Sequence, residues 1–591
     1  MPTSPYLNLL RDHIDITRVP FSDRGSRLLV FKEPEICRLY VKLAERLTDL
    51  EPDIEAYLHR PPFIRDLCLI DEFGEQLDFV VETYPHVIYL KTRLGDFGLV
   101  FQDRRTLSLG VPPHVVCGMR FHVTPQYWQR TRQGGTFKSV RNLDYNTNGA
   151  MVSNQITPEQ GGYTVDFIVD SHPDCAITIA IHPSSELSSD VLPFSMALSA
   201  AEARWRDWFN RVPPVHERYQ RTYAYAWWIM ANNLISPQGQ VAYESMTPSK
   251  ISYVGLWLWD NAMHSLAYRH VDADLARNQI RAILATQFPS GMLPDAVYDE
   301  GVVATIDHPI VGQVTKPPIL AWAALKLHEA DPDIDFLHEI YIPLVRLYAW
   351  WFTMNDDDGD GLAQYNHPYS SGLDDSPLWD YGMPVESPDL NTYLCVQMGS
   401  LAVIAELLGM DAEGAMWRRR AAAIVHRMIE DFWDEQAGLF WALHDEKPIP
   451  VVTPFNLYPL WTGQLPHHIQ DRLLAHLKNP DEFWGEYVIP TVARNDKHYS
   501  PQTMWRGPIW VNINYFFIEA LQQIGQKEIA WELLHKTLNL VMKHNNIYEY
   551  YDPETGEVPP TAADIFGWTA AVFIDLAIKV SQQEATETRE G

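Results

Sequence analysis

Cysteine is scarce and odd in number. Cys37, Cys68, Cys117, Cys175 and Cys395 are scattered through 591 residues, which excludes a disulfide framework and a zinc-ligand spacing and points to a reduced setting. Positive charge is also in short supply. Against 76 Asp and Glu stand 46 Lys and Arg, a formal net charge of −30. Such a chain repels nucleic acid and anionic membrane surfaces, so neither is expected as a partner. No apolar run approaches the length of a membrane span. Met1-Pro2-Thr3-Ser4-Pro5 lacks a basic region leading into an apolar one, so no secretory signal is expected. A cytoplasmic protein is the resulting expectation. Low-complexity tracts and short solenoid periods are missing as well.

What the chain does have is length and aromatic residues. At this size two or more domains are expected. Twenty Trp and 28 Tyr are many. Most such rings fill cores, but a flat ring with a polar tip also packs against the C–H face of a sugar.

Residues 1–195 read mainly as strand. Runs such as Arg27–Phe31, Phe79–Tyr84, His86–Thr92, Val115–Val123, Tyr163–Val169 and Ala176–Ile181 are rich in β-branched and aromatic residues. Asn148-Gly149 and Gly161-Gly162 are turn signals between them. A β-sandwich is expected there, interrupted by one helix from Pro34 to Asp49. Residues 196–214 read as a linker helix ending near Pro213-Pro214. From 215 to 585 the strand signals largely stop. Helical segments follow at about 215–235, 260–286, 317–329, 335–354, 389–408, 412–433, 466–478, 509–524, 527–543 and 565–582. Their number fits an (α/α)6 barrel, with an open helical array as the structural alternative. The overall expectation is therefore an N-terminal β-sandwich, a linker helix and an (α/α)6 barrel.

The polar stretch Ser370–Asp380 contains Asp374, Asp375, Asp380 and Trp379 and is bounded by Gly and Pro. It reads as a loop, either a solvated acidic turn or the seat of one member of a catalytic carboxyl pair. Tyr253, Trp257, Trp259 and Asp260 crowd a helix mouth. Asp260 is a plausible N-cap, and the rings could line a sugar pocket. Gln313 and Lys316 precede Pro317-Pro318 at another helix entrance, where they could bond hydroxyls or simply face solvent. Arg506, between Trp505 and Trp510, could be a cation–π strut or present its fork to sugar oxygens or a carboxylate. Glu549, beside Tyr548, Tyr550 and Tyr551, is either a general base or a buried structural carboxylate. Asp356–Asp360 starts like a calcium-binding loop, but His367 stands where the bidentate Glu belongs, so an Asx-rich turn is the better reading.

Taken together and in order, Tyr253…Trp257-Leu258-Trp259-Asp260, Ser371–Pro377, Trp505–Trp510, Glu549–Gly556 and Phe566–Thr569 resemble glycoside hydrolase family 63 over roughly residues 215 to 585. The likeness is nearest to bacterial members related to mannosylglycerate and glucosylglycerate hydrolases. The resemblance implies an (α/α)6 barrel and an inverting α-glycosidase, with Asp374 as general acid and Glu549 as general base. It places Tyr253, Trp257, Trp259 and Asp260 around the −1 sugar, with Trp505, Arg506 and Trp510 nearby. Gln313 and Trp379 join these as candidate substrate contacts. Two positions depart from the family: Asp375 replaces the usual Asn, and Lys316 stands where many relatives have Gln. The substrate expected is a small α-glucoside or oligosaccharide. Glycerate glycosides and α-1,6 branches are enzymatic alternatives, and a carbohydrate-binding scaffold is the non-enzymatic one. No metal or organic cofactor is expected.

Overall fold

The structure, a computed structural model, describes residues 5–46, 61–183 and 190–590. By contacts the chain divides into two compact units. The first holds Met1–Val212 with Trp227–Ser236 and Lys250–Val254; the second holds Pro213–Ala226, Pro237–Ser249 and Gly255–Gly591.

The first unit is a β-sandwich. Its strands are β1 (Leu28–Lys32), β2 (Leu39–Leu43), β3 (Ile64–Asp71), β4 (Val80–Thr83), β5 (Ile88–Thr92), β6 (Gly95–Asp103), β7 (Thr106–Gly110), β8 (Val116–Val123), β9 (Tyr127–Arg130), β10 (Gly134–Lys138), β11 (Asn142–Thr147), β12 (Ala150–Glu159), β13 (Gly162–Asp170) and β14 (Ala176–His182). One sheet has the order β1-β2-β3-β8-β13-β12, the other β4-β5-β6-β7-β14-β11-β10-β9. Val30, Leu67 and Met119 from the first sheet share a small internal void with Leu99, Leu107 and Ile177 from the second. Tyr145 meets Phe121 and Phe167 edge-on across the same interior.

Two local expectations change. Residues 39–43 are a strand, not part of a helix: Leu39, Val41 and Leu43 are buried in alternation with Tyr40 and Lys42, and β2 pairs antiparallel with β1. Alternation wins over helical spacing because it gives the buried face to every second residue. Residues 34–38 and 44–46 of that expected helix are irregular, and residues 47–49 lie outside the described residues. Gly161-Gly162 closes a true hairpin between β12 and β13. Asn148-Gly149 instead carries the chain from β11 in one sheet to β12 in the other.

Helix α1 is Pro5–Leu9 and α2 is Phe194–Asn210. Helix α2 lays Ala197 and Ala201 on Val87 and Val100. Gly98 and Gly110 make the approach possible, since a Cβ at either would stand about 2.5 and 2.4 Å from the Phe194 ring.

Beyond α3 (Gln220–Asn232), the second unit is helical: α4 (Leu258–Tyr268), α5 (Ala273–Leu284), α6 (Leu320–Ala330), α7 (Ile334–Met354), α8 (Pro388–Leu407), α9 (Asp411–Asp431), a 3-10 helix (Pro454–Thr462), α10 (His467–Leu477), α11 (Val511–Gln523), α12 (Lys527–Met542) and α13 (Gly567–Glu590). The run expected as one helix over 260–286 is two, because Asp272 caps α5 by accepting the Leu275 N–H. The 3-10 helix was not expected. Pro454 and Pro459 hide it from a helical reading, and Thr453 and Asn456 cap it reciprocally. Packing passes from α4 to α6, α8, the 3-10 helix, α11 and α13, and from α13 back to α4. The intervening helices α5, α7, α9, α10 and α12 each pack on members of that series. By length and hydropathy α8 could cross a membrane, contrary to expectation, but 72% of that stretch is buried. Its apolarity reflects a helix enclosed by other helices.

The return from α13 to α4 is held by charge. Asp575 on α13 accepts from Arg269 (2.7 Å), His270 (2.8 Å) and the Tyr515 hydroxyl of α11 (2.8 Å). Burial pushes the Asp575 pKa up, but Arg269, His270 and Tyr515 outweigh it and hold the carboxyl far below its ordinary range. Asp575→Asn is expected to cost about 3–5 kcal/mol, since it leaves Arg269 buried without its anion; the shift in urea-unfolding midpoint measures this. The contribution is present above an unfolded carboxyl pKa of about 4 and falls away below it. The variant's stability should therefore fall less than the wild type's as pH drops from about 4 towards 2.

Candidate active site

The polar residues singled out in the sequence gather at the amino-terminal ends of α4, α6, α8, α11 and α13. The loop before α8 is built from two short 3-10 turns, Pro368–Ser371 and Pro377–Tyr381. Gly372 ends the first in the left-handed region (φ 73°). A Cβ there would stand 2.3 Å from the Trp259 indole, so only glycine admits both the turn and the ring beneath it. The Ser371 hydroxyl accepts the Leu373 N–H (2.9 Å), and the Trp379 indole donates to the Leu373 carbonyl (2.6 Å). Trp379 thus braces the loop, edge-on to Tyr365.

Between the turns stand Asp374 and Asp375. Asp374 is half-buried, and its Oδ1 is buried with no hydrogen-bond partner. Burial pushes its pKa up to about 7; Lys316 opposes this, while Asp295 and Asp375 add to it. Asp375 accepts the Trp505 N–H at 2.8 Å. Its own pKa is raised, chiefly by burial.

Lys316, just before α6, is 6% exposed. Its Nζ donates to Asp295 Oδ1 (2.5 Å) and to the Tyr369 carbonyl (2.6 Å). Burial alone would lower its pKa; Asp295, Asp374 and Asp260 raise it above the ordinary lysine value. Lys316 is therefore a structural cation at the centre of the site, not a surface residue. Asp295 was not foreseen. It follows Leu293-Pro294 in an irregular segment, where an acidic residue carries no signal of its own.

Asp260 lies in the first turn of α4, buried to 4% exposure. It does not cap the helix, whose N-cap is Trp257. Burial raises its pKa well above the carboxyl range; Lys316 lowers it and Glu549 raises it further. Asp374, Lys316, Asp260 and Glu549 thus form one electrostatically connected group, drawn from positions far apart in the chain.

Glu549 is 3% exposed. Its Oε2 accepts the Ala563 N–H (3.1 Å), and its own N–H donates to the Ala563 carbonyl (3.0 Å). Neighbouring bridges Ile509↔Tyr551 and Tyr548↔Asp564 fix the segment on both sides.

An indole cluster joins these carboxyls. Trp505 and Trp510 stack face to face at 3.7 Å. Trp259 lies 6.0 Å from Trp505 and meets Trp568 edge-on at 5.1 Å. Trp510 leans on Tyr550 at 4.8 Å. Arg506 is not sandwiched between indoles, because Trp505 and Trp510 take each other's faces. It forks instead onto Asp380 at 2.9 and 2.6 Å.

Gln313 is exposed and pairs with Thr305 in a two-stranded ribbon. Tyr253 is half-buried and belongs to the first compact unit. Trp257 packs edge-on against Tyr298 at 5.9 Å. The acidic turn reads as an Asx-rich one: Asp358 accepts the Asp360 N–H, Asp356 the Gly361 N–H and Asp360 the Leu362 N–H. The carboxylate oxygens of Asp356, Asp358 and Asp360 lie within 4.8 Å of one another, and Arg427 reaches Asp360 at 2.9 Å.

A carboxyl whose pKa is pushed up, a second carboxyl buried nearby and clustered indoles are the parts of a glycoside hydrolase, and this chain is one. Residues 253–569 match the mannosylglycerate hydrolase MGH1-like glycoside hydrolase domain, and the chain belongs to that family. A mannosylglycerate hydrolase of Thermus thermophilus is 28% identical over 408 residues, 55% of this chain and 95% of that protein. Among solved structures, a GH63 mannosylglycerate hydrolase from another strain of Thermus thermophilus, in complex with Tris and D-glycerate, superposes with a TM-score of 0.53 at 23% identity, covering 60% of this chain and 99% of that one. A bacterial glucoamylase complexed with acarbose gives a TM-score of 0.57 at 11% identity and covers 95% of both chains. The glucoamylase likeness, unlike the first, extends over the β-sandwich as well.

Gly372→Ala is expected to cost at least about 1–2 kcal/mol from its left-handed backbone and to displace Trp259. A lower thermal midpoint and an altered near-ultraviolet circular dichroism would report it. Gly399→Ala is the control: it sits in α8, and a Cβ there meets nothing within 4 Å.

Proposed function

We propose that the second unit is an (α/α)6 barrel carrying an inverting α-glycosidase site, with Asp374 as general acid and Glu549 as general base. The observation that carries this reading is Asp374 itself. Its Oδ1 is buried without a partner, and a pKa raised to about 7 lets it keep its proton through the mildly acidic range and in about half of the molecules at neutral pH. A leaving-group oxygen is the partner such a proton donor lacks. The barrel reading is supported by the packing series that starts at α4 and returns to it through α13, with its site residues at one set of helix ends.

In this mechanism Asp374 delivers its proton to the glycosidic oxygen as the bond to the anomeric carbon breaks. Glu549 takes a proton from a water that attacks the opposite face. The anomeric configuration is inverted, and water fits between the carboxyls when they are roughly 6.5–9.5 Å apart. Asp260 and the indoles Trp259, Trp505 and Trp510 surround the sugar. Lys316 holds Asp295 in place and moderates the acidity of Asp374. The favoured substrate is a small α-glucoside or oligosaccharide. A glycerate α-glycoside is the second reading, favoured by the mannosylglycerate hydrolase relative at 28% identity.

Two outcomes test this. Asp374→Asn and Glu549→Gln should each lower kcat/KM by about 10²–10⁴, and NMR of the first product should show the β anomer. Near-wild-type hydrolysis by either variant would sink the assignment. The alkaline limb of kcat/KM should fall at about pH 7, the value to which Asp374 is raised, because deprotonation removes the acid. A limb near pH 4 would point to a different donor.

A further inference from the structure

We propose that Asp295 and Asp380 determine specificity by occupying the site's two cations, so that the aglycone accepted here is uncharged. This rests on the glycosidase reading above and narrows its substrate.

The argument is one of charge and place. A proton donor must lie beside the leaving oxygen, so the loop that carries Asp374 flanks the aglycone. That loop also carries Asp375 and Asp380, and Asp380 holds Arg506 by both branches of its fork, at 2.9 and 2.6 Å. A guanidinium gripped in this way has its Nη1–Nη2 edge already used and its charge offset by Asp380. On the other side Lys316 is buried, and its ammonium is bonded to Asp295 and to the Tyr369 carbonyl. An aglycone carboxylate would have to share either cation with an internal carboxylate or displace it. The carboxyl groups of Asp260, Asp295, Asp374, Asp375, Asp380 and Glu549 outnumber Lys316 and Arg506. Even with Asp260 and Asp374 protonated, the remaining charge is not positive. An anionic aglycone therefore meets like charge beside cations that are already paired, whereas hydroxyl groups can bond carboxylates and carbonyls as they stand.

Asp380 is the accessible lever, since it stands at the exposed rim and takes no part in the proton transfers. Asp380→Asn keeps its size and releases Arg506.

The test uses matched pairs that differ by one carboxylate: α-glucosylglycerol with α-glucosylglycerate, and α-mannosylglycerol with α-mannosylglycerate. Hydrolysis is measured for the wild type and Asp380→Asn, and calorimetric binding for Asp374→Asn. The wild type should favour the glycerol member by about tenfold or more in kcat/KM, and Asp380→Asn should shift the ratio towards the glycerate by a similar factor, mainly through KM. Equal or better hydrolysis of the glycerates by the wild type would overturn the proposal, as would a ratio that Asp380→Asn leaves unmoved. If no pair is hydrolysed, the catalytic reading fails for these sugars, and binding decides the aglycone separately. Tighter binding of the glycerol members would uphold the proposal. Equal or tighter binding of the glycerates, or no binding of any of the four, would overturn it.

Discussion

A single ammonium group, that of Lys316, organises the chemistry of the second unit. It sits among carboxyl groups in a region from which water is largely excluded, where an unpaired charge of either sign would be costly. Asp295 and the Tyr369 carbonyl fix its position. From there its charge reaches Asp374 on one side and Asp260 on the other, and Asp260 in turn feels Glu549. Without this cation, burial would drive the carboxyls further towards neutrality. With a free cation in its place, Asp374 would lose its proton at lower pH. The Lys316–Asp295 pair holds the site between these limits.

The helical scaffold makes that arrangement possible by bringing helix starts together. Each inner helix begins where a loop rich in Trp, Tyr, Asp or Gly ends, so residues as distant as 260, 316, 374 and 549 converge. The loops are held by specific contacts. Gly372 admits Trp259 beneath the turn, Trp379 anchors Leu373, and Ala563 grips Glu549 from two directions. Rigid helices supply the direction, and short backbone contacts supply the final placement.

The division between what could and could not be read from sequence follows the range of the interactions. Gly and Pro around Asp374 mark a loop whatever the rest of the chain does, and the strand runs of the sandwich declare themselves through β-branched residues. Residues 39–43 were read as helix because a few apolar positions satisfy both spacings; only pairing with β1 decides between them. The helix expected over 260–286 conceals a break, because Asp272 acts as a cap only once the chain has turned. Arg506 was placed between the flanking indoles by proximity in sequence, whereas the two rings attract each other more closely and the guanidinium finds Asp380 instead. Asp295 had no local signal, since its importance comes from a lysine twenty-one positions later. Contacts made across the fold are where one sequence says least.

The Asp575 contact bears on how the protein is made. Helix α4 is complete by residue 268, yet its neighbour α13 begins at 567. Throughout synthesis of the intervening three hundred or so residues, one flank of α4 waits without its partner, and Arg269 without its anion. The sandwich strands, by contrast, find their partners within the first part of the chain to emerge. Such an order leaves a growing, partly enclosed helical array exposed at one seam until nearly the whole sequence has been translated. The seam is therefore the surface that folding assistants would have to shield.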